Sequence, residues 1–279
     1  MTFERFTART RERQVAVVTG GHPFDAQAFF ALLDDVLYDD LGYNWCNVAH
    51  PAATALFEHP DSLSRFDLIL FYDVPGQDYR IPQAPVQFEP SEAYKSGFER
   101  LLACGVPMLF LHHAIIGWPR WPRYAEILGG AVMAEPGELR GREVPDSGYR
   151  FGVTHRVTPV ADHPVTAGLE DGFEITDQLY MGEVFEETLV PLMRSNYRFD
   201  ASGFYSIGAS MAGRPDSNEG WERPAGNNLI VWARQEKASP IVYVQCGDGP
   251  SAYQVSGFRQ LLRNSAKWLA EQSTRANGT

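Results

Sequence analysis

The chain has 279 residues, which is enough for one large or two smaller domains. A composition of 44% hydrophobic and 21% charged residues supplies a sizeable core and excludes a disordered or fibrous chain. The net charge of −11 argues against partners that need clustered Lys and Arg, such as nucleic acids or anionic membranes. We therefore expect a small neutral molecule or another protein as partner.

The first 14 residues contain several arginines but no apolar stretch typical of a signal peptide, so they are expected to form an N-terminal arm. A single domain is expected over residues 15–272, followed by a tail over 273–279. No run approaches the roughly 20 apolar residues that a membrane span needs, and a cytoplasmic location is expected. Cys46, Cys104 and Cys246 are too widely spaced to indicate disulfides or a zinc motif, and are expected to be reduced core residues.

In the first half of the chain, apolar β-branched runs alternate with segments of helical periodicity. The strand-like runs are residues 15–19, 43–49, 66–72 and 106–111, and the helical segments are residues 26–37 and 92–103. Asp25 is placed to cap the first helix. This alternation predicts an α/β fold with a doubly wound, mostly parallel sheet and helices on both of its faces.

The second half is less regular. It begins with a proline- and charge-rich loop over 135–146 and a strand-like run over 149–157. The Gly-, Ser- and Asn-rich segment 200–228 is long enough to be a candidate lid. The apolar runs 229–233 and 241–245 are expected to pair as strands. Residues 256–271 form an amphipathic pattern that predicts a helix docked on the sheet.

Each candidate for chemistry follows a predicted strand. His22 follows the first strand, Asp73 the third, the pair His112 and His113 the fourth, and Asp248 a late strand. Ligands of open parallel sheets bind beyond the carboxyl ends of the strands. A flavodoxin-like strand order would bring His22, Asp73 and one of the paired histidines into one cleft.

Each of these residues also has a structural interpretation. His22 is either a loop histidine beside the Gly20-Gly21 turn or a ligand or acid–base group. Consecutive residues that leave a strand point in opposite directions, so one of His112 and His113 is expected to face the cleft, and His113 is favoured. Asp73 is either a site residue or a cap for the following turn.

Motifs for nucleophilic catalysis and nucleotide binding are missing from the sequence. Residues 208–212 resemble a serine elbow only loosely, because they lie in a polar glycine-rich segment and not after a strand. The sequence has neither spaced dinucleotide-binding glycines nor a phosphate loop. A metal site, for zinc or a similar divalent ion, would have to be assembled by folding from His22, Asp73 and His113, with Asp248 as a candidate fourth ligand.

Four segments, in order along the chain, resemble the ThuA-like (trehalose utilisation) family. They are VAVVTGGHPFD at 15–25, LHHAIIGWPRW at 111–121, HPVTAGL at 163–169 with DQLY at 177–180, and FRQLLRNSAKWL at 258–269. The resemblance implies a flavodoxin-like, class I glutamine amidotransferase-like fold and a role in sugar catabolism.

The resemblance also implies a set of polar site positions, which are His22, His112, His113, His163, Asp177 and Tyr180. His163 and Asp177 belong to the irregular half, so they reach the cleft only if that half folds back over the strand ends. Otherwise, His163 belongs to a turn and Asp177 caps a short helix.

The chain departs from the family and superfamily patterns at two places. After the fourth strand the sequence has His112-His113 where amidotransferases have a cysteine, so glutaminase activity is not expected. Many ThuA-like sequences have a Gly-His pair where this chain has Gly247-Asp248. Activity that depends on that histidine would require the carboxylate of Asp248 to replace it as a ligand.

The leading hypothesis is an enzyme that acts on a disaccharide or an oxidised (keto) sugar derivative, and a homo-oligomer is compatible with it. His22 and His113 would be the acid–base or ligand pair, and Asp73 and Asp177 would orient a histidine or bind sugar hydroxyls. The substrate-binding candidates are Trp118 and Tyr180 as an aromatic wall, with His112, His163 and Asp248. The competing hypothesis is a non-catalytic sugar-binding or interaction module, which Asp248 favours. An amidotransferase-like subunit is a third, weaker interpretation.

Overall fold

The computed structural model describes residues 13–78 and 86–273. Of the expected N-terminal arm and C-terminal tail, only residues 13, 14 and 273 are described. Within these ranges no helix is long and apolar enough to cross a membrane.

A ten-stranded sheet forms the centre of the structure. Its strands are β1 (Gln14–Gly20), β2 (Asn44–Ala49), β3 (Leu68–Asp73), β4 (Met108–Leu111), β5 (Gly148–Pro159), β6 (Phe173–Met181), β7 (Val190–Ser195), β8 (Tyr205–Ser206), β9 (Leu229–Glu236) and β10 (Ser239–Val244). The order is β6-β5-β7-β9-β10-β4-β3-β1-β2, and β8 pairs with β5. The strands β2-β1-β3-β4-β10 are parallel, which confirms the predicted flavodoxin-like order, and β9 and β10 pair as expected.

Seven α-helices are described. They are α1 (Ala26–Leu33), α2 (Ala52–Glu58), α3 (Glu92–Ala103), α4 (Pro122–Leu128), α5 (Ile207–Met211), α6 (Pro250–Tyr253) and α7 (Ser256–Glu271). The Asp25 carboxylate accepts a hydrogen bond from the Ala28 amide at 2.9 Å, which confirms the predicted cap. A π-helix continues α1 over Asp34–Asp40.

Shorter elements complete the description. Five 3₁₀ helices occupy Leu63–Arg65, His112–Ile116, Pro164–Thr166, Glu186–Thr188 and Ala201–Gly203. Three short strand pairs join Gln77–Asp78 with Val86–Gln87, Gly130–Ala131 with Glu183–Val184, and Gly137–Leu139 with Arg142–Val144.

The central strands bury apolar side chains on both faces. Val15 and Val17 of β1 belong to the cluster that packs under α1 and α7, and Ala16 and Val18 belong to the cluster under α2, α3 and α4. A strand that is covered on both sides needs apolar residues at every position, which explains the uninterrupted run at 15–18. The apolar face of α7 lies in the first cluster, as predicted.

The predicted lid over 200–228 is a structured segment. It contains β8 and α5, and the buried carboxylate of Asp146 holds it by three hydrogen bonds. Asp146 accepts from the Ser206 hydroxyl at 2.6 Å, the Gly208 amide at 2.9 Å and the Trp221 indole at 3.0 Å. These bonds and the pairing of β8 with β5 hold the segment in place.

All three cysteines are free, and only Cys246 is buried. The expectation of core residues is wrong for Cys46, because β2 is the edge strand of the sheet. It is also wrong for Cys104, which lies at the exposed C-cap of α3.

Candidate functional site

The turn after β1 places His22 at the carboxyl edge of the sheet. Gly20 and Gly21 have φ values of +100° and +82°, a conformation that side chains disfavour. A Cβ atom on Gly21 would lie 2.1 Å from the carbonyl oxygen of Val74, which directly follows β3. Glycine is therefore required here so that the turn can pass the neighbouring strand end.

The 3₁₀ turn after β4 brings both paired histidines to the same place. His112 has a φ of +42°, so the alternation of a strand stops at this residue. The two rings are 4.3 Å apart, and the Nε2 atoms of His112 and His113 lie 3.4 Å and 3.5 Å from Oδ1 of Asp248. Both rings therefore contact Asp248, although His112 is fully buried and His113 is partly exposed.

His22 stacks on His113, with ring centroids 4.2 Å apart and an angle of 15° between the planes. Neither ring nitrogen of His22, nor Nδ1 of His113, has a hydrogen bond of normal geometry within the described ranges. Burial, followed by the charge of His112, lowers the pKa of His22 to about 4. The same causes lower the pKa of His113 well below its usual value. Both rings are therefore neutral at pH 7.

His112 is fully buried and carries the positive charge of the cluster. Its Nδ1 donates to the carbonyl oxygen of Gln245, and its Nε2 lies 3.0 Å from Oε1 of Gln178. Burial alone would lower the pKa of His112, but the Asp248 carboxylate, with Oδ1 3.4 Å from Nε2, and the charge of Asp177 raise it to about 9. Burial opposes ionisation of Asp248, but His112 outweighs it and lowers the pKa of that carboxyl.

Asp177 holds the loop that follows β10. Its carboxylate accepts from the amide of Gly247 at 2.6 Å and from the amide of Asp248 at 3.1 Å. Burial raises its pKa, against the charge of His112 and these hydrogen bonds. On the other side of the loop, the Tyr72 hydroxyl lies 2.9 Å from the Asp248 carbonyl oxygen. The antiparallel half of the sheet thus supplies the carboxylate that holds the Gly247-Asp248 loop.

Asp73 contacts a histidine that the sequence reasoning did not select. Nε2 of His50, just after β2, lies 2.9 Å from Oδ2 of Asp73, and Nδ1 of His50 lies 3.4 Å from the Thr54 hydroxyl. Burial, which His50 opposes, raises the pKa of the Asp73 carboxyl. The rule that selected the other candidates, a polar residue directly after a strand, also selects His50 once the second strand is included.

His22 and His50 line one cleft, with a volume of about 720 Å³ between the described residues. Trp118 and the half-exposed Phe88 form an aromatic side of this cleft, with ring centroids 6.0 Å apart. The indole nitrogen of Trp118 donates to the Tyr94 hydroxyl at 3.0 Å, which fixes the ring. The structure therefore places Trp118 on the wall of the cleft.

Tyr180 and His163 do not line this cleft. Tyr180 is buried behind His112, with ring centroids 4.9 Å apart, and its hydroxyl donates to Oε1 of Gln178 at 2.9 Å. It is therefore not part of the wall with Trp118. His163 packs on Trp268 of α7 at 4.8 Å, and its Nδ1 accepts from the Val165 amide. These contacts match the turn interpretation of His163.

The metal-ligand set expected from the sequence, His22, Asp73 and His113, is not assembled. The Asp73 carboxylate is hydrogen-bonded to His50 instead. Among the described residues, the ligand-type side chains whose atoms converge within 4.8 Å of one another are His112, His113 and Asp248.

This fold and the site at its carboxyl edge define a flavodoxin-like α/β protein with the pair His112-His113 directly after its fourth strand. Residues 15–269 match the model of the ThuA family, which is described as trehalose utilisation. The chain belongs to the ThuA family.

Two solved structures share the fold over nearly the whole chain. A ThuA-like protein from Parabacteroides merdae is 15% identical, with a TM-score of 0.65, and the match covers 92% of this chain and 90% of that one. A ThuA-like protein from Bacteroides uniformis is 16% identical, with a TM-score of 0.63 and coverage of 96% and 95%. The comparison with curated proteins finds no match.

Proposed function

We propose that this protein is an enzyme that acts on a disaccharide or an oxidised (keto) sugar derivative in the cleft between His22 and His50. The observation that carries this proposal is the pair of histidines on one cleft, one of them oriented by a buried carboxylate. The association of the family with trehalose utilisation supports a carbohydrate as the substrate class.

The contacts of His50 suit a general base. A hydrogen bond from Nε2–H to the Asp73 carboxylate fixes the tautomer and leaves Nδ1 as the nitrogen that accepts a proton. The Thr54 hydroxyl, 3.4 Å from Nδ1, also lines the cleft and can relay a proton to it. Such a group can take a proton from a sugar hydroxyl or from a carbon next to a keto group.

The lining of the cleft suits a neutral sugar. Trp118 and Phe88 provide an apolar surface for the C–H face of a sugar ring, and His22 and Thr54 provide polar groups for its hydroxyls. No lysine or arginine occurs among the described residues that line the cleft.

The test is turnover of a panel of disaccharides and their keto derivatives by the purified protein, with products followed by NMR. His50→Gln is expected to lower kcat/KM by at least about 100-fold, because it removes a general base. His163→Gln, a histidine change away from the cleft, is the matched control and should match the wild type. Equal turnover by the two variants would show that the site is wrong.

A non-catalytic sugar-binding module is the alternative, and Asp248, in place of the histidine of many relatives, favours it. Sugar-dependent thermal stabilisation without turnover of any compound in the panel would support this alternative. Turnover that depends on His50 would eliminate it.

A further inference from the structure

We infer that His112, His113 and Asp248 form a binding site for one divalent transition-metal ion of the zinc type. The inference goes beyond the proposed enzyme activity, since it depends on the geometry of three side chains and its test needs no substrate. Among the described residues, these three offer ligand atoms within 4.8 Å of one another.

The distances between the ligand atoms fit one ion. Zinc binds imidazole nitrogen and carboxylate oxygen at about 2.0–2.2 Å, so two ligand atoms on a tetrahedral ion are about 3.3–3.6 Å apart. Oδ1 of Asp248 lies 3.4 Å from Nε2 of His112 and 3.5 Å from Nε2 of His113. These separations are long for direct hydrogen bonds and match two edges of such a tetrahedron.

The surroundings hold the ligands in a metal-binding orientation. Nδ1 of His112 donates to the Gln245 carbonyl oxygen, so Nε2, which lies 3.0 Å from Oε1 of Gln178 in the metal-free cluster, is the ring nitrogen left to bind an ion. Metal-binding histidines typically use their second ring nitrogen in this way. The Asp177 carboxylate positions Asp248 by accepting from the backbone amides of Gly247 and Asp248.

The exposure of the three ligands indicates a site with an open coordination position. His112 is fully buried, whereas the side chains of His113 and Asp248 are 16% and 32% exposed. Three protein ligands with one open position are typical of catalytic zinc sites, and structural sites have four protein ligands. His22 stacks on His113 and also lines the cleft, so it connects the metal site to the cleft.

The donor set selects the class of ion. Two imidazole nitrogens and one carboxylate suit zinc, iron(II), cobalt(II) or manganese(II), whereas magnesium and calcium prefer oxygen ligands throughout.

The test is metal binding by the full chain, without added affinity-tag histidines, after treatment with a chelator. Titration with Co²⁺ should give the visible absorption of a four- or five-coordinate site at one ion per chain, and Zn²⁺ should displace it. Mg²⁺ should not compete. Asp248→Asn and His113→Gln should each weaken Zn²⁺ binding at least about tenfold in calorimetry, and His163→Gln should bind as the wild type does.

Substoichiometric binding by the wild type, or equal Zn²⁺ affinity of the wild type and Asp248→Asn, would overturn the inference. Circular dichroism shows whether each variant is folded. If His113→Gln does not fold, Asp248→Asn still tests the inference, because it is an isosteric change at a partly exposed residue. Binding of one ion by a protein without turnover would overturn only the proposed function.

Discussion

The turn at Gly20-Gly21 provides a test of how the strand ends are packed around His22. In Gly21→Ala, the new Cβ would lie 2.1 Å from the Val74 carbonyl oxygen, at a φ of +82°. The matched control is Gly152→Ala, because Gly152 also has a positive φ, +63°, but a Cβ there meets nothing within 4 Å. The two variants share the backbone penalty and differ in the clash.

The expected magnitudes follow from these contacts. The left-handed conformation costs a non-glycine residue roughly 1–2 kcal/mol, which is the whole effect expected for Gly152→Ala. In Gly21→Ala the clash involves backbone, and its relief displaces Val74, whose amide donates to the Gly20 carbonyl at 2.9 Å. Overpacking and a weakened hydrogen bond bring the expected loss to roughly 3–6 kcal/mol.

Urea unfolding at pH 7, followed by circular dichroism, measures both variants against the wild type. A free energy of unfolding of about 5–15 kcal/mol is ordinary for a domain, so either variant can remain folded at low denaturant concentration. Equal losses for Gly21→Ala and Gly152→Ala would refute the close approach of the turn to the end of β3.

Three further predictions concern buried polar groups. Burial lowers the pKa of His155 from 6.5 to about 4. As the pH falls below 6.5, the imidazole is therefore protonated in the unfolded chain before it is protonated in the folded one. About 3 kcal/mol of stability that is present above pH 6.5 is lost by pH 4. In His155→Gln, the free energy of unfolding measured with urea should fall less steeply between pH 6.5 and pH 4. The same pH dependence in the variant and the wild type would contradict the prediction. Tyr72→Phe removes the hydroxyl that contacts the carbonyl oxygens of Gly247 and Asp248 and the Tyr253 hydroxyl, and it should cost about 1–2 kcal/mol in the same assay. A stability equal to wild type would count against these contacts. Asp177→Asn places an amide group against the backbone of Gly247 and Asp248, and should weaken Zn²⁺ binding in calorimetry roughly 10–100-fold without unfolding the chain. Unchanged affinity would show that Asp177 does not position the Asp248 ligand.

Local patterns predicted much of the fold well. The boundaries of α3 and α7, the cap at Asp25 and the pairing of β9 with β10 all follow from periodicity and capping chemistry, which depend on neighbours in the chain. The antiparallel half was less predictable. Its segment 200–228 owes its structure to contacts with Asp146, which lies more than 50 residues earlier.

The residues of the candidate site were predictable from the sequence, but the contacts between their side chains were less so. His22 and Asp248 were expected from their positions after strands, and the structure places both beside His113. The direction of the His112 side chain was not predictable from strand alternation, because the backbone leaves the strand conformation at that residue, with a positive φ. The partner of Asp73 was also missed, since His50 reaches it only when β1 pairs with both β2 and β3.

The amino-acid sequence was sufficient to predict the class of fold, the family and the edge of the sheet where the polar residues collect. The fold and the edge follow from the order of apolar runs and the residues that end them, and the family follows from four ordered segments, all of which are local features of the chain. Which side chains meet could be read only from the folded structure. Two sets form at that edge, His50 with Asp73, and His22, His112 and His113 with Asp248, because hydrogen-bond and ligand distances depend on strand register and loop conformation.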